Sequence, residues 1–431
     1  MESIWNNIKK PKFKTQNGDI KTDVLIIGGG LCGILCAYML KNKGVDYVLS
    51  EADEICGGIT NGTTAKITLQ HGLIYEKITK KYGIEKAKMY YQSQKKAFDT
   101  LTKLASEREC DFENCDSFVF SRNDLKKIEE EVYTLNKIGC NVDLVKKTEL
   151  PFEIAGAVRI KNQAKFHPLK FVYDISKDLN IYENTKVIEL KPNMAITNNG
   201  RIYAKKIIVA THFPFINKHG GYFLKMYQHR SYVIALKNTP DIKGIYVDED
   251  LKGLSLRMHK DLLLLGGGSH RTGKDGGNWE ELSKFKEKYY SKAQEVGRWA
   301  TQDCMTLDSM PYIGRYSKSA QDLYTATGFN KWGMTSSMLS AIMLTDMICN
   351  GKSEYEALYS PSRSMLTPQL AVNMVESTIG LITPKTPRCP HFGCALKYNK
   401  YEHSWDCPCH GSRFEKNGKL INNPATDDLD I

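Results

Sequence analysis

Val24-Leu25-Ile26-Ile27-Gly28-Gly29-Gly30-Leu31-Cys32-Gly33 sets four apolar residues directly before a glycine-spaced turn. The four read as a buried parallel strand, because a strand covered on both faces loses its polar alternation. Residues 31–43 read as a helix, with the small Ala37 four positions past Gly33 where packing on a sheet needs it. Gly44 ends the helix, Tyr47-Val48-Leu49 forms the next strand, and Glu51 stands at its end. In this setting Gly28-x-Gly30-x-x-Gly33 is the fingerprint of a dinucleotide-binding βαβ unit. Gly28 permits the tight turn, Gly30 lets the backbone approach a pyrophosphate, and the helix start offers N–H groups to its charge. Glu51 is placed to accept hydrogen bonds from ribose hydroxyls.

Later segments favour FAD over NAD. Gly57 to Lys66 is a long loop of small residues able to wrap a cofactor, and Lys66 is a candidate for stabilising its charge. Ala326 to Thr335 carries Gly328 and Gly333 and runs into an apolar helix reaching about Ile348. Such a helix aims its positive end at a reduced flavin ring. Ile207 to Thr211 reads as a third strand of the same sheet.

The C-terminal part has different chemistry. It reads Cys389-Pro390-His391-Phe392-Gly393-Cys394 and, after fifteen residues beyond His391, Cys407-Pro408-Cys409-His410-Gly411-Ser412. Two Cys-and-His pairs on two short loops fit a [2Fe–2S] cluster of Rieske type, Cys389 and Cys407 on one iron, His391 and His410 on the other. Two ferric ions and two sulfides with four thiolates leave a net −2, whereas two thiolates and two imidazoles leave zero. A neutral cluster takes an electron more readily, so its potential rises. Ser412 is placed to hydrogen-bond a cluster sulfur. A zinc knuckle is the competing reading, but the prolines between ligands and the extra cysteine on each loop favour the cluster. Residues 387–431 bury too little for an independent core, so this module must lean on the rest of the chain.

Taken together, the chain resembles the FAD-dependent oxidoreductases of D-amino-acid oxidase type (glycine and sarcosine oxidases and relatives) fused to a Rieske module. Phe166-His167-Pro168, the Ala210-Thr211-His212 strand end and the two glycine-bearing segments carry this likeness beyond the Gly28 motif. The resemblance implies an α/β fold: an FAD-binding Rossmann-like domain of two-dinucleotide-binding type, an α+β substrate domain and a small all-β Rieske-type module. It places the FAD domain at residues 22–72, 150–214 and 305–350, the substrate domain at 73–149 and 215–304, a linker at 351–386 and the module at 387–431. It implies flavin contacts from Thr64, Ala65, Thr211, Gly328, Gly333, Met334 and Thr335. Val187, in a Tyr182–Leu190 strand pattern, would meet the adenine side through its backbone. It also implies a disulfide between Cys394 and Cys409. High-potential members carry a tyrosine where this chain has Phe414, so a lower potential is expected. Cys304 lies near the residue that tethers flavin in some relatives, in a shifted register.

Composition bounds the rest. A chain of 431 residues allows two or three domains, and its 41% apolar content is ordinary for a soluble globular protein. The net charge of +11 comes from interspersed basic residues, so no nucleic-acid partner is inferred, while an acidic electron-transfer partner or an anionic substrate is favoured. Eight cysteines outside the module lack framework spacing, and the Val24 to Leu40 apolar run is too short and glycine-rich to cross a membrane. With no apolar signal core in residues 1–22, a cytoplasmic protein without a transmembrane segment is expected, and a homo-oligomer stays open.

Asn123 is a candidate cap for a helix running to Ile138. Leu262 to Gly268 imitates a second nucleotide motif but lacks its third glycine. His270 and Arg271, at that strand's end, are weak candidates for holding a substrate carboxylate or poising an amine, as are Lys66 and Trp332 for the pocket. His71, His212, His229 and Arg230 read as structural. No His pair with a following acid supplies a mononuclear iron site, which sets aside a Rieske oxygenase. The function expected is oxidation of a small amine or amino acid, with electrons passing from flavin through the cluster to an acceptor protein. The alternative is a non-catalytic or reverse-flow redox protein with the same cofactors.

Overall fold

Ile20–Ile27 lies inside an eight-stranded sheet, parallel to Tyr47–Ser50 on one side and to Gly200–Val209 on the other. The structure is a computed structural model describing residues 2–216, 220–249, 253–276, 278–384 and 387–430. Ile26 stands in register with Leu49 and with Ile208, and all three are fully buried. Ala320–Thr327 and Ile181–Tyr182 continue the parallel order outward. Val187–Lys191 pairs instead with Met194–Thr197 as a hairpin on Gly200–Val209. Val187 therefore opens a separate strand. The expected continuous Tyr182–Leu190 strand is broken at Asn184, whose backbone is left-handed (φ 51°).

Two helices, Leu31–Asn42 and Gly333–Asn350, pack on each other above this sheet. Every residue from Leu31 to Ala37 and from Met334 to Thr345 is buried. A helix buried all round has no face to offer water, and both segments present only apolar and small hydroxyl side chains there. The Val24 to Leu40 run resolves into strand, turn and helix. Among the described residues no helix is long and apolar enough to cross a membrane.

The second sheet has nine strands, with Met226–Lys237 between Gln294–Thr306 and Leu262–Arg271. It also takes Gly156–Lys165, paired along Glu113–Ser121, and Lys66–Ile67. The chain thus enters this sheet from within the spans assigned above to the FAD half. Gly266 and Gly267 lie inside an antiparallel ladder opposite Val233 and Tyr232, not at a strand-to-helix turn. The helix Leu125–Lys137 flanks the sheet, and Ile84–Ser106 packs on Ile74–Tyr82 and Gly333–Asn350. Asp124, not Asn123, caps Leu125–Lys137 by accepting from the Lys127 N–H at 3.2 Å. Asn123 stands one residue too early and gives its own N–H to Ser121.

The last unit is a four-stranded antiparallel sheet, Lys397–Asn399, Ser404–Asp406, Arg413–Glu415 and Leu420–Asn422. The helix Pro368–Ile382 precedes it within the expected linker, whose Lys385 and Thr386 lie outside the described residues. Besides four cysteines, the small sheet's buried apolar cluster holds only Leu396, Phe414, Ala425 and Leu429. It leans on the second sheet through Glu402, which accepts from Arg230 Nε at 2.9 Å, Arg413 Nη2 at 3.0 Å and the Tyr232 hydroxyl at 3.2 Å. Burial pushes this carboxyl up, but Arg230 and Arg413 overcome it and hold it at about 2.

Because the folded value lies below the ordinary 4.5, this contact stabilises fully above about pH 4.5 and is lost as pH falls toward about 2. Glu402→Ala is expected to cost about 3–5 kcal/mol, since it strands buried guanidinium charge. Melting temperatures measured across that pH range check both statements. Wild-type stability falls through the window, and the variant is less stable at neutral pH with a flatter profile.

Candidate functional site

A cavity of about 610 Å³ opens at the C-terminal ends of the parallel strands. Gly28 (φ +108°) lies so close to the neighbouring strand end that a Cβ would stand 2.7 Å from the Ala210 carbonyl oxygen. A Cβ on Gly33 would stand 1.9 Å from the Gly28 carbonyl oxygen, so helix and turn touch backbone to backbone. A Cβ on Gly30 would meet only Thr60 Oγ1, at 3.5 Å, and its open side borders the cavity. Glu51 also borders it and accepts from the Gly29 N–H at 2.6 Å and the Asp53 N–H at 3.0 Å. Burial raises its carboxyl, against the pull of these bonds. Its remaining lone pairs are available to hydroxyl donors.

Thr64, Val187 and Thr211 line the cavity, as do Gly333 and Met334 at the start of the helix Gly333–Asn350. No side chain caps that helix, so its first N–H groups are left for a bound group. Gly33, Ala65, Gly328 and Thr335 stand behind the wall. The Ala65 carbonyl holds Arg257 at 2.7 Å, and Thr335 meets His71 Nε2 at 2.9 Å. The glycine cradle, the acid at the second strand end and the open helix start together fit FAD.

A second polar group lines the same cavity: Lys66, Asp303 and Lys331, beside Trp332. Lys66 Nζ donates to Thr64 Oγ1 at 2.5 Å, and burial with nearby Arg257 lowers its ammonium to about 7. Lys331 Nζ donates to Ser269 Oγ at 2.7 Å, and burial lowers it as well. Burial raises the Asp303 carboxyl, opposed by Lys331 and Lys66. Sequence reasoning passed over Asp303 and Lys331, although Lys331 lies within a segment it singled out. Strand alternation along Gln294–Thr306 turns Thr301 and Asp303 to the cavity and Cys304 to a core with Met226 and Tyr312. Cys304 is thereby directed away from any flavin.

His270 and Arg271, expected near a substrate, do not line this cavity. Their strand runs past it to the small sheet. His270 stacks on Tyr232, and Arg271 donates to the Cys409 carbonyl at 3.0 Å, the Pro408 carbonyl at 3.3 Å and Asn373 Oδ1 at 2.9 Å. His71 stacks on Trp332 with ring centres 5.1 Å apart and bonds Tyr90 at 2.6 Å, a supporting role. His212 lines the cavity with a left-handed backbone (φ 66°). His229 packs edge-on against Tyr227, and Arg230 is bound to Glu402.

In the small sheet, Cys389, Cys407 and His410 are buried together, and the His391 and His410 rings lie 5.0 Å apart at 87°. Neither ring nitrogen of buried His410 has a hydrogen-bond partner among the described residues. Such groups are costly to leave idle, and coordination would satisfy one of them. Cys407, followed by the His391 and Phe392 N–H groups and Ser412, holds the Cys389 thiol down at about 7. Cys394 and Cys409 form a disulfide joining the two loops. The sulfurs of Cys394, Cys407 and Cys409 fall within 4.8 Å of one another, but the disulfide removes two of them as metal ligands. The donors left are two thiols and two imidazoles, the set a Rieske cluster takes. Phe414, fully buried, offers no donor.

Comparison with known proteins agrees with both halves. The family described as FAD dependent oxidoreductase matches residues 23–347, and the Rieske [2Fe-2S] domain matches residues 370–431. YhfW of Bacillus subtilis, named as a Rieske 2Fe-2S iron-sulfur protein, is 32% identical over 98% of this chain and 96% of its own. Gamma-glutamylputrescine oxidoreductase of Escherichia coli is 24% identical over 81% of this chain and 88% of its own. The glycine oxidase structure from Geobacillus kaustophilus shares the fold at a TM-score of 0.68 and 16% identity, covering 80% of this chain and 99% of that one.

Ser412→Ala is expected to lower the cluster potential. A hydrogen bond to a cluster sulfur favours the reduced, more negative form, and one such bond corresponds to roughly 60–130 mV for one electron. Potentiometric titration followed by electron paramagnetic resonance checks it. An unchanged potential would show that the serine does not bond the cluster.

Proposed function

The chain belongs to the FAD dependent oxidoreductase family, and on that premise we propose that it is a dehydrogenase taking two electrons from a small amine or amino acid and passing them singly through its Rieske cluster to an external acceptor. The observation that carries this reading is a single cavity lined by a dinucleotide cradle and a Lys-Asp-Lys group, one wall of which comes from the cluster module. When bound, FAD accepts an electron pair and gives up electrons singly, and the cluster carries one at a time.

The chain's own residues bind and orient the substrate. Asp303 is placed to hold a substrate ammonium and Lys331, steadied by Ser269, a carboxylate. Trp332, backed by His71, supplies a flat wall. Oxidation of an amine to an imine removes a hydride and a proton. Lys66, lowered to about 7, is suited to take that proton near neutral pH. The net charge of +11 favours an acidic acceptor protein. The ten free cysteines, two of them Cys389 and Cys407, accord with a reducing, cytoplasmic setting.

Anaerobic titration of the purified protein with a panel of amines and amino acids tests the reading. A substrate bleaches the flavin absorbance, and the cluster resonance of the reduced form follows. The bleaching rate rises with pH through about 7, where Lys66 loses its proton, and Lys66→Met removes that limb. If no small molecule bleaches the flavin and a reduced carrier protein does, the chain is an electron-transfer protein instead.

A further inference from the structure

The strip Leu420 to Asn423, with Ala425 and Thr426, lines the dinucleotide cavity, although it belongs to the cluster module. Its attachments fall on the cavity's own rim. Asn423 Nδ2 donates to the Thr211 carbonyl at 2.7 Å and the Phe213 carbonyl at 2.8 Å, just past the strand Gly200–Val209. Lys186 Nζ donates to the Thr426 carbonyl at 2.7 Å, one residue before Val187. Thr211, Lys186 and Val187 all line the cavity.

The strip is also held from the cluster side. The Ala425 N–H donates to Ser412 Oγ at 3.0 Å, and Ser412 bears on Cys389. Gln228 Nε2 donates both to the Asn423 carbonyl at 2.8 Å and to the His410 carbonyl at 3.0 Å. Gln302 Nε2 in turn gives Gln228 a bond at 2.6 Å and the Gly411 carbonyl one at 2.8 Å. One buried amide therefore ties the cavity wall to the backbone of an expected cluster ligand.

We propose that the strip Asn423 to Thr426 is part of the FAD-binding site, so that the cluster module retains the flavin as well as exchanging electrons with it. This rests on reading the cavity as the FAD site. A dinucleotide lying between the Thr211 and Val187 strand ends would border this strip. The coupling is reciprocal: whatever the ordered strip adds to FAD affinity, bound FAD returns to the docking of the module.

The test uses the full-length holoprotein and measures FAD release by the recovery of free flavin fluorescence, with the cluster resonance recorded on the same samples. Asn423→Ala removes two bonds to the rim and is expected to speed release roughly three- to tenfold with the cluster resonance unchanged. Lys186→Ala, at an exposed rim position, removes the bond to the Thr426 carbonyl and is expected to speed it about twofold. Release at the wild-type rate in both variants overturns the proposal. Should Asn423→Ala lose the cluster, Lys186→Ala decides alone, and an unchanged rate there overturns it. Absence of FAD from the wild-type protein would instead sink the assignment of the cavity.

Discussion

Glu402 is a carboxylate carried into the seam between the small sheet and the second sheet, ionised there because Arg230 and Arg413 flank it. Arg413 also pairs with buried Asp406 at 2.9 Å, so the charges alternate through the seam. A buried ion network of this kind adds little net stability compared with apolar packing, because desolvation offsets much of the attraction. What it supplies is register. In the observed placement of the small sheet these charges are paired across the seam. In that placement the second ligand loop faces Gln228 and Gln302, and the terminal strip reaches the cavity.

The module's apolar core is small and half cysteine. It is held from outside by polar contacts and by close backbone approach. A Cβ on Gly273 would stand 2.6 Å from the Pro408 nitrogen, and one on Gly411 would stand 2.6 Å from Gln228 Cβ. Gly273 lets the loop backbone approach at Pro408, and Gly411 leaves room for the Gln228 side chain against the same loop. The cluster module thus supplies one wall of the cavity within one chain.

The dinucleotide cradle and the cluster ligands were legible in the sequence because both are local. Gly28, Gly30 and Gly33 sit on one turn, and each Cys-and-His pair sits on one loop, so spacing alone displays the chemistry. Asp303, Gln228, Glu402 and Asn423 were not legible. Each acts through a partner more than sixty residues away, and a lone Gln or Asp in a strand carries no signal of what faces it. His270 and Arg271 were misplaced for a related reason. A strand end reads as a pocket edge, but the docking of the cluster module, which local pattern does not show, binds Arg271 to its second ligand loop. The strand break at Asn184 lies in the polar run Glu183 to Lys186, between the apolar residues at either end of the expected strand.

The central claim is that the flavin reaches the cluster within a single chain. Rapid-mixing reduction of the flavin under anaerobic conditions, with the cluster signal followed at several protein concentrations, tests it most directly. A first-order rate of cluster reduction that does not change with protein concentration is predicted. A rate that rises in proportion to concentration would mean that electrons cross between molecules, and would contradict the account.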